Sequence, residues 1–221
     1  LYISDETLPP GLVLPEIVVG FVNFGNLKVA DGIKMPKVIR GMLGLAAVET
    51  MKNIEFPDTI GVNLYLPNLR KAQNVKFPRF IVGRGLSINK LEVAKDVRFP
   101  ENVPGDFNLP KLYAAENTTF PQTVDGGLDL SSLPSLKSLE LPKSVGGKVM
   151  LGSLLDAKDA RLPDYVGGSL YLSGLWTTDG LVLPTTIGLD LYLNRVKSIG
   201  DLAIPKNMTG NIYLQPQYEG L

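Results

Sequence analysis

The sequence predicts a repeat solenoid that is mainly β, with about ten stacked coils of 21 residues and two short parallel strands in each coil. Three observations lead to this fold class. One class of proline recurs at a fixed period, apolar residues stand at fixed distances from it, and glycines and other turn residues separate the apolar stretches. A unit of this length cannot bury an apolar face alone, so its apolar positions must pack against the same positions of the next unit. We therefore expect a core that runs the length of an elongated stack.

The proline repeat has a period of 21 residues, with a single step of 22 residues between Pro78 and Pro100. The repeating prolines are Pro15, Pro36, Pro57, Pro78, Pro100, Pro121, Pro142, Pro163, Pro184 and Pro205. The residue before each proline is apolar, and the third residue after it is almost always β-branched. A glycine usually follows two places later, and an apolar pair in alternation comes next. This regularity sets the register of every other position.

Two stretches in each unit alternate apolar and non-apolar residues, which is typical of a short strand. The first holds the apolar pair, and it predicts one buried column that contains Leu130, Leu151, Leu172 and Leu193. The second leads into the proline, as in Ile54-Glu55-Phe56, Val97-Arg98-Phe99 and Leu139-Glu140-Leu141. Proline ends the second strand, and glycine before the first strand permits a tight corner. Little room is left for a helix, so we expect short irregular or 3₁₀ connections.

Turn-forming residues precede the second strand in most units. They are Asn53, Asn74, Asp96, Asn117, Asp159 and Asp201, with Gly11, Gly32 or Gly180 in other coils. The step of 22 residues contains one extra residue, Arg84 or Gly85. A one-residue insertion usually produces a local bulge.

Residues 1–221 are expected to form a single solenoid domain, with partial coils over residues 1–14 and 205–221. Leu1-Tyr2-Ile3 matches the first strand in phase, so the chain begins inside a coil, and we expect it to be a piece of a longer protein. Glu6 and Gln217 stand where most coils have Leu or Val, and atypical terminal repeats often cap a stack. Both interpretations, capped ends and cut ends, remain open.

The composition excludes several classes of function. Lys plus Arg and Asp plus Glu each total 22, so the net charge is zero and a nucleic-acid partner is not expected. The chain has no histidine and no cysteine, which excludes Ser-His-Asp and Cys-His catalysis and the usual zinc sites. No apolar run approaches the ~20 residues of a membrane span. We expect no enzymatic activity, no cofactor, no metal and no membrane span.

Three motifs that resemble chemical sites have structural explanations. Gly83-Arg84-Gly85 and the glycine pairs near residues 126, 146 and 167 resemble phosphate-binding loops, but they recur at the repeat period, which favours corners. Asp156, Asp159 and Asp164 are carboxylates of the kind that bind calcium, but their spacing matches no EF-hand loop. Turn capping and solvation are the favoured explanation for these three.

The segment Leu136-Lys137-Ser138-Leu139-Glu140-Leu141-Pro142-Lys143-Ser144-Val145 resembles the leucine-rich-repeat core, in the proline-containing form of bacterial surface and effector proteins. The resemblance covers nearly the whole chain at low stringency. The asparagine of common leucine-rich repeats is present only as Asn102 and Asn207, which favours a flatter, β-rich coil. The resemblance implies protein or glycan recognition by a bacterial protein that is secreted, held at the cell surface or delivered into a host cell. A host protein is then among the expected partners.

Two outward columns supply the candidate binding residues. In the first, Tyr171, Tyr192 and Tyr213 take the middle position of the first strand in consecutive coils, either as a recognition strip or as an aromatic ladder that stabilises the sheet. In the second, the position after the last leucine is charged for four coils and then apolar, with Tyr113, Pro134, Leu155 and Trp176. Such an exposed patch indicates protein contact, unless another domain or subunit covers it or it turns inward.

A third column, at the middle of the second strand, has mixed charges from Lys34 to Arg161 and resembles a solvated face; it is an alternative recognition surface. Two functions from different classes follow. The first is a non-enzymatic protein-interaction module whose anchors are Tyr113, Leu155 and Trp176. The alternative is a carbohydrate-binding solenoid in which the tyrosine strip stacks on sugar rings.

Overall fold

A computed structural model of the chain describes residues 2–3, 6, 13–83, 85–158 and 160–215. Over these residues the chain winds into a β-solenoid of about nine turns, spaced about 21 residues apart. The strands form five sheets, and within each sheet every strand pairs in parallel with the equivalent strand of a neighbouring coil; no helix is present in the described ranges. The predicted mainly β repeat solenoid is confirmed. Arg84, Asp159, Gly11 and Gln217, which the sequence analysis singled out, lie outside the described residues.

The strands that hold the apolar pair form what we call the Leu-x-Leu face. Its strands are Tyr2–Ile3, Val22–Phe24, Leu43–Gly44, Asn63–Tyr65 and Gly85–Ser87 in one sheet, and Phe107–Asn108, Leu128–Asp129, Val149–Met150, Leu170–Tyr171, Leu191–Leu193 and Ile212–Leu214 in another. The predicted column Leu130, Leu151, Leu172 and Leu193 is fully buried. The strand Gly85–Ser87, where Gly85 has a φ of 136°, still pairs with Asn63–Tyr65 across the 22-residue step, and the two sheets separate after it.

The post-proline face consists of two-residue strands that begin two residues after each repeating proline. These strands are Ile17–Val18, Val38–Ile39, Thr59–Ile60 and Phe80–Ile81 in one sheet, and Asn102–Val103, Thr123–Val124, Ser144–Val145, Tyr165–Val166, Thr186–Ile187 and Asn207–Met208 in another. The sequence analysis identified the inward Val and Ile column but did not assign strands to it. Two residues are too few for apolar alternation to be recognised.

The pre-proline face holds the second predicted strand, and it exists only in the first half of the stack. Its strands are Val29–Asp31, Thr50–Glu55, Lys71–Lys76, Val93–Arg98 and Ala114–Glu116. The strands predicted at Ile54-Glu55-Phe56 and Val97-Arg98-Phe99 are confirmed, although each ends one residue before the phenylalanine. The strand predicted at Leu139-Glu140-Leu141 is wrong, because that segment has no strand and is followed by none on this face.

The backbone ladder of the pre-proline face stops at a proline. The N–H of Glu92 donates to the carbonyl of Arg70 at 2.8 Å, and the N–H of Tyr113 donates to the carbonyl of Glu92 at 3.1 Å. The next residue in this column is Pro134, which has no N–H to donate to Tyr113. From this coil onward the segment turns locally, as in the bond from the N–H of Leu139 to the carbonyl of Leu136 at 3.0 Å.

The predicted turn residues adopt the left-handed conformation. Asn53, Asn74, Asp96 and Asn117 have φ values of 54°, 50°, 53° and 48°, and Gly32 and Gly180 have 65° and 72°. These positions sharply bend the strands that contain them. In the coil of Asp201, the neighbouring Gly200 takes this role, with a φ of 53°. Asn tolerates this region better than most residues because its short side chain bonds locally.

Close coil-to-coil approach at the corners depends on glycine. A Cβ atom added to Gly61 would lie 2.0 Å from the carbonyl oxygen of Arg40 in the preceding coil. No side chain fits there without moving the backbone. The corners therefore fix the stacking distance, and the core beside the prolines is filled by a row of phenylalanines in the middle of the stack. This row comprises Phe56, Phe77, Phe99 and Phe120, with ring centroids 5.3–5.7 Å apart in successive coils.

Candidate functional site

The second outward column faces solvent, as predicted. We call Tyr113, Pro134, Leu155 and Trp176 the anchor column. Tyr113, Leu155 and Trp176 are 53%, 58% and 61% exposed, which is high for large apolar side chains. The N–H of Leu155 donates to the carbonyl of Pro134 at 3.3 Å, so these two coils remain in register. The alternative that this column turns inward is excluded, and its role in binding stays a prediction.

The same column is charged in the first half of the stack. The N–H groups of Glu49, Arg70 and Glu92 each donate to the carbonyl of the preceding member at 2.8 Å, beginning with Lys28. The guanidinium of Arg70 lies 2.9 Å from the carboxylate of Glu92. One structural position therefore carries charged side chains from Lys28 to Glu92, exposed apolar side chains from Tyr113 to Trp176, and a charged side chain again at Lys197.

Trp176 has a neighbour that the sequence analysis missed. The guanidinium carbon of Arg195 lies 5.0 Å from the centroid of the Trp176 ring, which is a cation–π distance. Arg195 belongs to the following coil, in the column that holds Gly174 in the coil of Trp176. A side chain at Gly174 itself would meet the backbone of the preceding coil, with a Cβ only 2.5 Å from the carbonyl oxygen of Leu154. The sequence therefore carries no evident signal for the contact between Arg195 and Trp176.

A cleft of about 590 Å³ lies beside this pair. Its lining residues come from the coil of Trp176 and from the two coils that follow: Trp176, Thr177, Thr178, Asp179, Arg195, Val196, Lys197, Ser198, Gly200 and Gln215. The cleft therefore joins the end of the anchor column to a polar wall with two cations and one carboxylate.

The tyrosine strip forms a close stack. Ring centroids lie 4.4 Å apart between Tyr171 and Tyr192 and 4.6 Å apart between Tyr192 and Tyr213, with interplanar angles of 3° and 7°. Both faces of Tyr192 are thus covered by its neighbours. Partial burial, followed by the charge of Asp190 and the adjacent tyrosines, raises the pKa of Tyr192 to about 12. This geometry matches the ladder interpretation and leaves ring edges, rather than faces, along most of the strip.

The other candidate sites show structural contacts. Asp156 accepts the backbone N–H of Lys158 at 2.8 Å, as a turn cap does. Among the described residues no group of three His, Cys, Asp or Glu side chains is arranged to hold a metal ion. The third outward column contains inter-coil ion pairs, with Lys76 and Glu55 at 3.2 Å. These contacts agree with capping and with a solvated face.

Within the part of the chain that the structure describes, no helix is long and apolar enough to cross a membrane. Comparison of the chain with protein-family models, with curated proteins and with solved structures finds no significant match.

Proposed function

We propose that this chain is a non-enzymatic protein-interaction module and that the anchor column is its recognition surface. The resemblance to proline-containing leucine-rich repeats supports a bacterial surface or secreted effector protein as its context, with a host protein among its partners. The observation that carries the proposal is the exposure of Tyr113, Leu155 and Trp176 in one column. Contiguous exposed apolar side chains on a surface are typical of protein contact sites.

The first half of the stack provides an internal comparison for this argument. Lys28, Glu49 and Arg70 occupy the same column in the first half of the stack, so a coil of this repeat accepts charged residues there. The apolar residues of the anchor column are therefore not required by the fold. Aromatic residues at such positions are frequent anchors of binding energy in protein interfaces.

The glycan-binding alternative has weaker support. Sugar rings stack on the faces of aromatic side chains, whereas both faces of Tyr192 are covered by Tyr171 and Tyr213. Only the outer faces at the two ends of this stack remain for such a contact. We therefore place recognition on the anchor column.

The proposal predicts the result of a single substitution. Proteins captured from host and bacterial lysates by the native chain should bind the Trp176→Ala variant at least tenfold more weakly, at about 1.4 kcal/mol per factor of ten. The unfolding midpoint should not change, because the side chain is mostly exposed. Affinity is measured by titration of the captured protein.

Lys28→Ala is the matched control, because Lys28 occupies the same column outside the apolar part, and it should leave binding unchanged. Equal capture by the native chain and the Trp176→Ala variant would contradict the proposal. A glycan array run in parallel addresses the alternative. Glycan retention that is lost in Tyr171→Ala and Tyr192→Ala, with no effect of Trp176→Ala, would favour carbohydrate binding.

A further inference from the structure

The pair formed by Arg195 and Trp176 has unused hydrogen-bonding capacity. Both side chains are exposed, and the guanidinium lies over the indole with 5.0 Å to the ring centroid. Among the described residues Arg195 forms no ion pair and no side-chain hydrogen bond; its contact is with Trp176. A cation–π contact provides no hydrogen-bond acceptor of the usual kind for the guanidinium N–H groups, which therefore remain available to a ligand.

The cleft beside this pair contains two hydroxyl groups that can donate a hydrogen bond to a ligand. Thr177 Oγ1 accepts the N–H of Asp179 at 3.1 Å, and Ser198 Oγ accepts the N–H of Gly200 at 3.3 Å. Neither hydroxyl donates to an acceptor among the described residues. Both hydroxyl protons are therefore available to a ligand atom that accepts hydrogen bonds.

The charges of the cleft also favour a ligand group that accepts hydrogen bonds. The indole of Trp176 holds the guanidinium of Arg195 in place, and Arg195 forms no ion pair with Asp179, the single carboxylate that lines the cleft. Arg pairs with a carboxylate through two parallel N–H···O bonds, which is the strongest and most specific of its contacts. A carboxylate is thus the complementary group for this cleft.

We propose that the partner of the anchor column presents an acidic side chain close to an apolar one in an extended segment. The inference rests on the proposed function and deepens it. The apolar side chain contacts Leu155 and Trp176, and the carboxylate accepts hydrogen bonds from Arg195 and from the free hydroxyls. Adjacent coils are about 4.8 Å apart, and side chains two residues apart on an extended peptide are separated by roughly 7 Å. One short segment therefore reaches both the indole and the guanidinium.

The test uses a random peptide library, displayed on phage and selected against the whole chain. Selected sequences should contain Asp or Glu within two residues of an aromatic or aliphatic residue. A synthetic peptide of the selected sequence should bind Arg195→Gln at least tenfold more weakly than the native chain, as measured by fluorescence anisotropy. Arg195→Lys keeps the positive charge but lacks the two parallel N–H donors of the guanidinium. It should therefore weaken binding by an intermediate factor.

Two further measurements locate the contact. Changing the acidic residue of the peptide to its amide should weaken binding as much as Arg195→Gln does, and combining the two changes should add little more. Arg161→Gln is the matched control, because Arg161 is an exposed arginine that lies outside this cleft and pairs with Glu140. It should leave affinity unchanged.

The outcomes separate the two proposals. Selected peptides that depend on Trp176 but lack an acidic residue, or bind Arg195→Gln as tightly as the native chain, would overturn the carboxylate inference and leave the anchor column in place. A selection that yields no peptide sensitive to Trp176→Ala would overturn this inference. If the proteins captured from lysates are also insensitive to that variant, the proposed function fails with it.

Discussion

The two halves of the stack bury the same columns of apolar residues, but the backbone conformation of the pre-proline face differs between them. Up to residue 116 this side is a ladder of parallel strands, and from residue 134 onward it is a series of turns. The difference follows the residue two places after the last leucine of each coil. That residue is Val29, Thr50, Lys71, Val93 or Ala114 where strands form, and Ser135, Asp156, Thr177 or Ser198 where turns form.

Each of the four polar residues in the second half accepts the backbone N–H of the residue two places later. The distances are 3.2, 2.8, 3.1 and 3.3 Å. Side chains of Ser, Thr and Asp compete in this way with strand and helix hydrogen bonds. These bonds stabilise turns in the second half, while the inward residues keep the coil intact. Thr50 occupies the same position within a strand, so the missing N–H of Pro134 contributes to the change as well. Pro134, Leu155 and Trp176 of the anchor column lie on the turn side together with the cleft, where side chains are not held in a regular sheet.

The largest expected effect tests whether the core is equivalent in the two halves. Leu66 and Leu151 occupy the same fully buried column in different halves. Leu66→Ala and Leu151→Ala should each lower the free energy of unfolding by about 2–5 kcal/mol. The measurement is chemical denaturation of both variants. A loss below about 1 kcal/mol at Leu151 alone would mean that the turns weaken the core of the second half.

The next effect concerns the left-handed positions. Asn74 has a φ of 50°, and its side chain donates to Asn53 Oδ1 at 2.8 Å. Asn74→Ala should cost about 1–2 kcal/mol, since it loses this bond and places Cβ in a disfavoured region. Asn74→Gly should cost less. In the second half Ser138 has a φ of 62°, so Ser138→Gly should raise the unfolding midpoint. A lower midpoint for Ser138→Gly would contradict the strain assigned there.

A smaller effect tests what causes the change from strands to turns on the pre-proline face. Replacing Pro134 and Ser135 by valine restores the missing N–H and removes the turn-forming hydroxyl. The double variant should extend the pre-proline sheet by one coil and change the free energy of unfolding by less than about 1 kcal/mol. Amide hydrogen exchange should then show new protection between residues 134 and 139. Unchanged exchange would place the cause elsewhere, and Pro134→Val alone separates the two contributions.

Sequence periodicity was sufficient for the fold because the inward positions repeat without exception over many coils. The columns of Leu130 and Val18 are continuous, so the core and its direction could be predicted. The strand at Leu139-Glu140-Leu141 was predicted from the same alternation and is absent. Alternation records which side chains face the core, and both a strand and a turn can satisfy it. The deciding residue, Ser135, points outward and lies outside the pattern.

The candidate site was predictable only in part for a similar reason. Tyr113, Leu155 and Trp176 occupy equivalent positions of the repeat, which the sequence predicts to face outward. Their exposure in the structure agrees with that prediction. Arg195 reaches Trp176 diagonally, from a different column of the next coil. Contacts between columns depend on side-chain conformation, which repeat spacing does not encode. The cleft depends in addition on the turns of the second half.

The smallest expected effect concerns ion pairs, which also divide the two halves. Six of the seven ion pairs between described residues lie between residues 16 and 116, and the other joins Arg161 and Glu140 at 3.7 Å. Glu101 is at the centre of the best-connected group, with Arg79 at 2.9 Å and Arg98 at 3.0 Å. The hydrogen bond from Arg79 is the main cause that holds the pKa of Glu101 below its ordinary value.

A carboxyl group with a lowered pKa in the folded state stabilises the fold fully above its pKa in the unfolded chain, about 4.3. That contribution is lost as the pH falls through the lower folded-state pKa. Glu101→Gln should therefore reduce stability slightly at neutral pH and flatten the acid limb of the stability curve below about pH 4. Glu140→Gln is the control from the second half, because its pair with Arg161 is longer, and it should leave the curve unchanged. Thermal unfolding of both variants between neutral and acid pH measures the difference, and an equal effect of the two would show that ion pairs do not distinguish the halves.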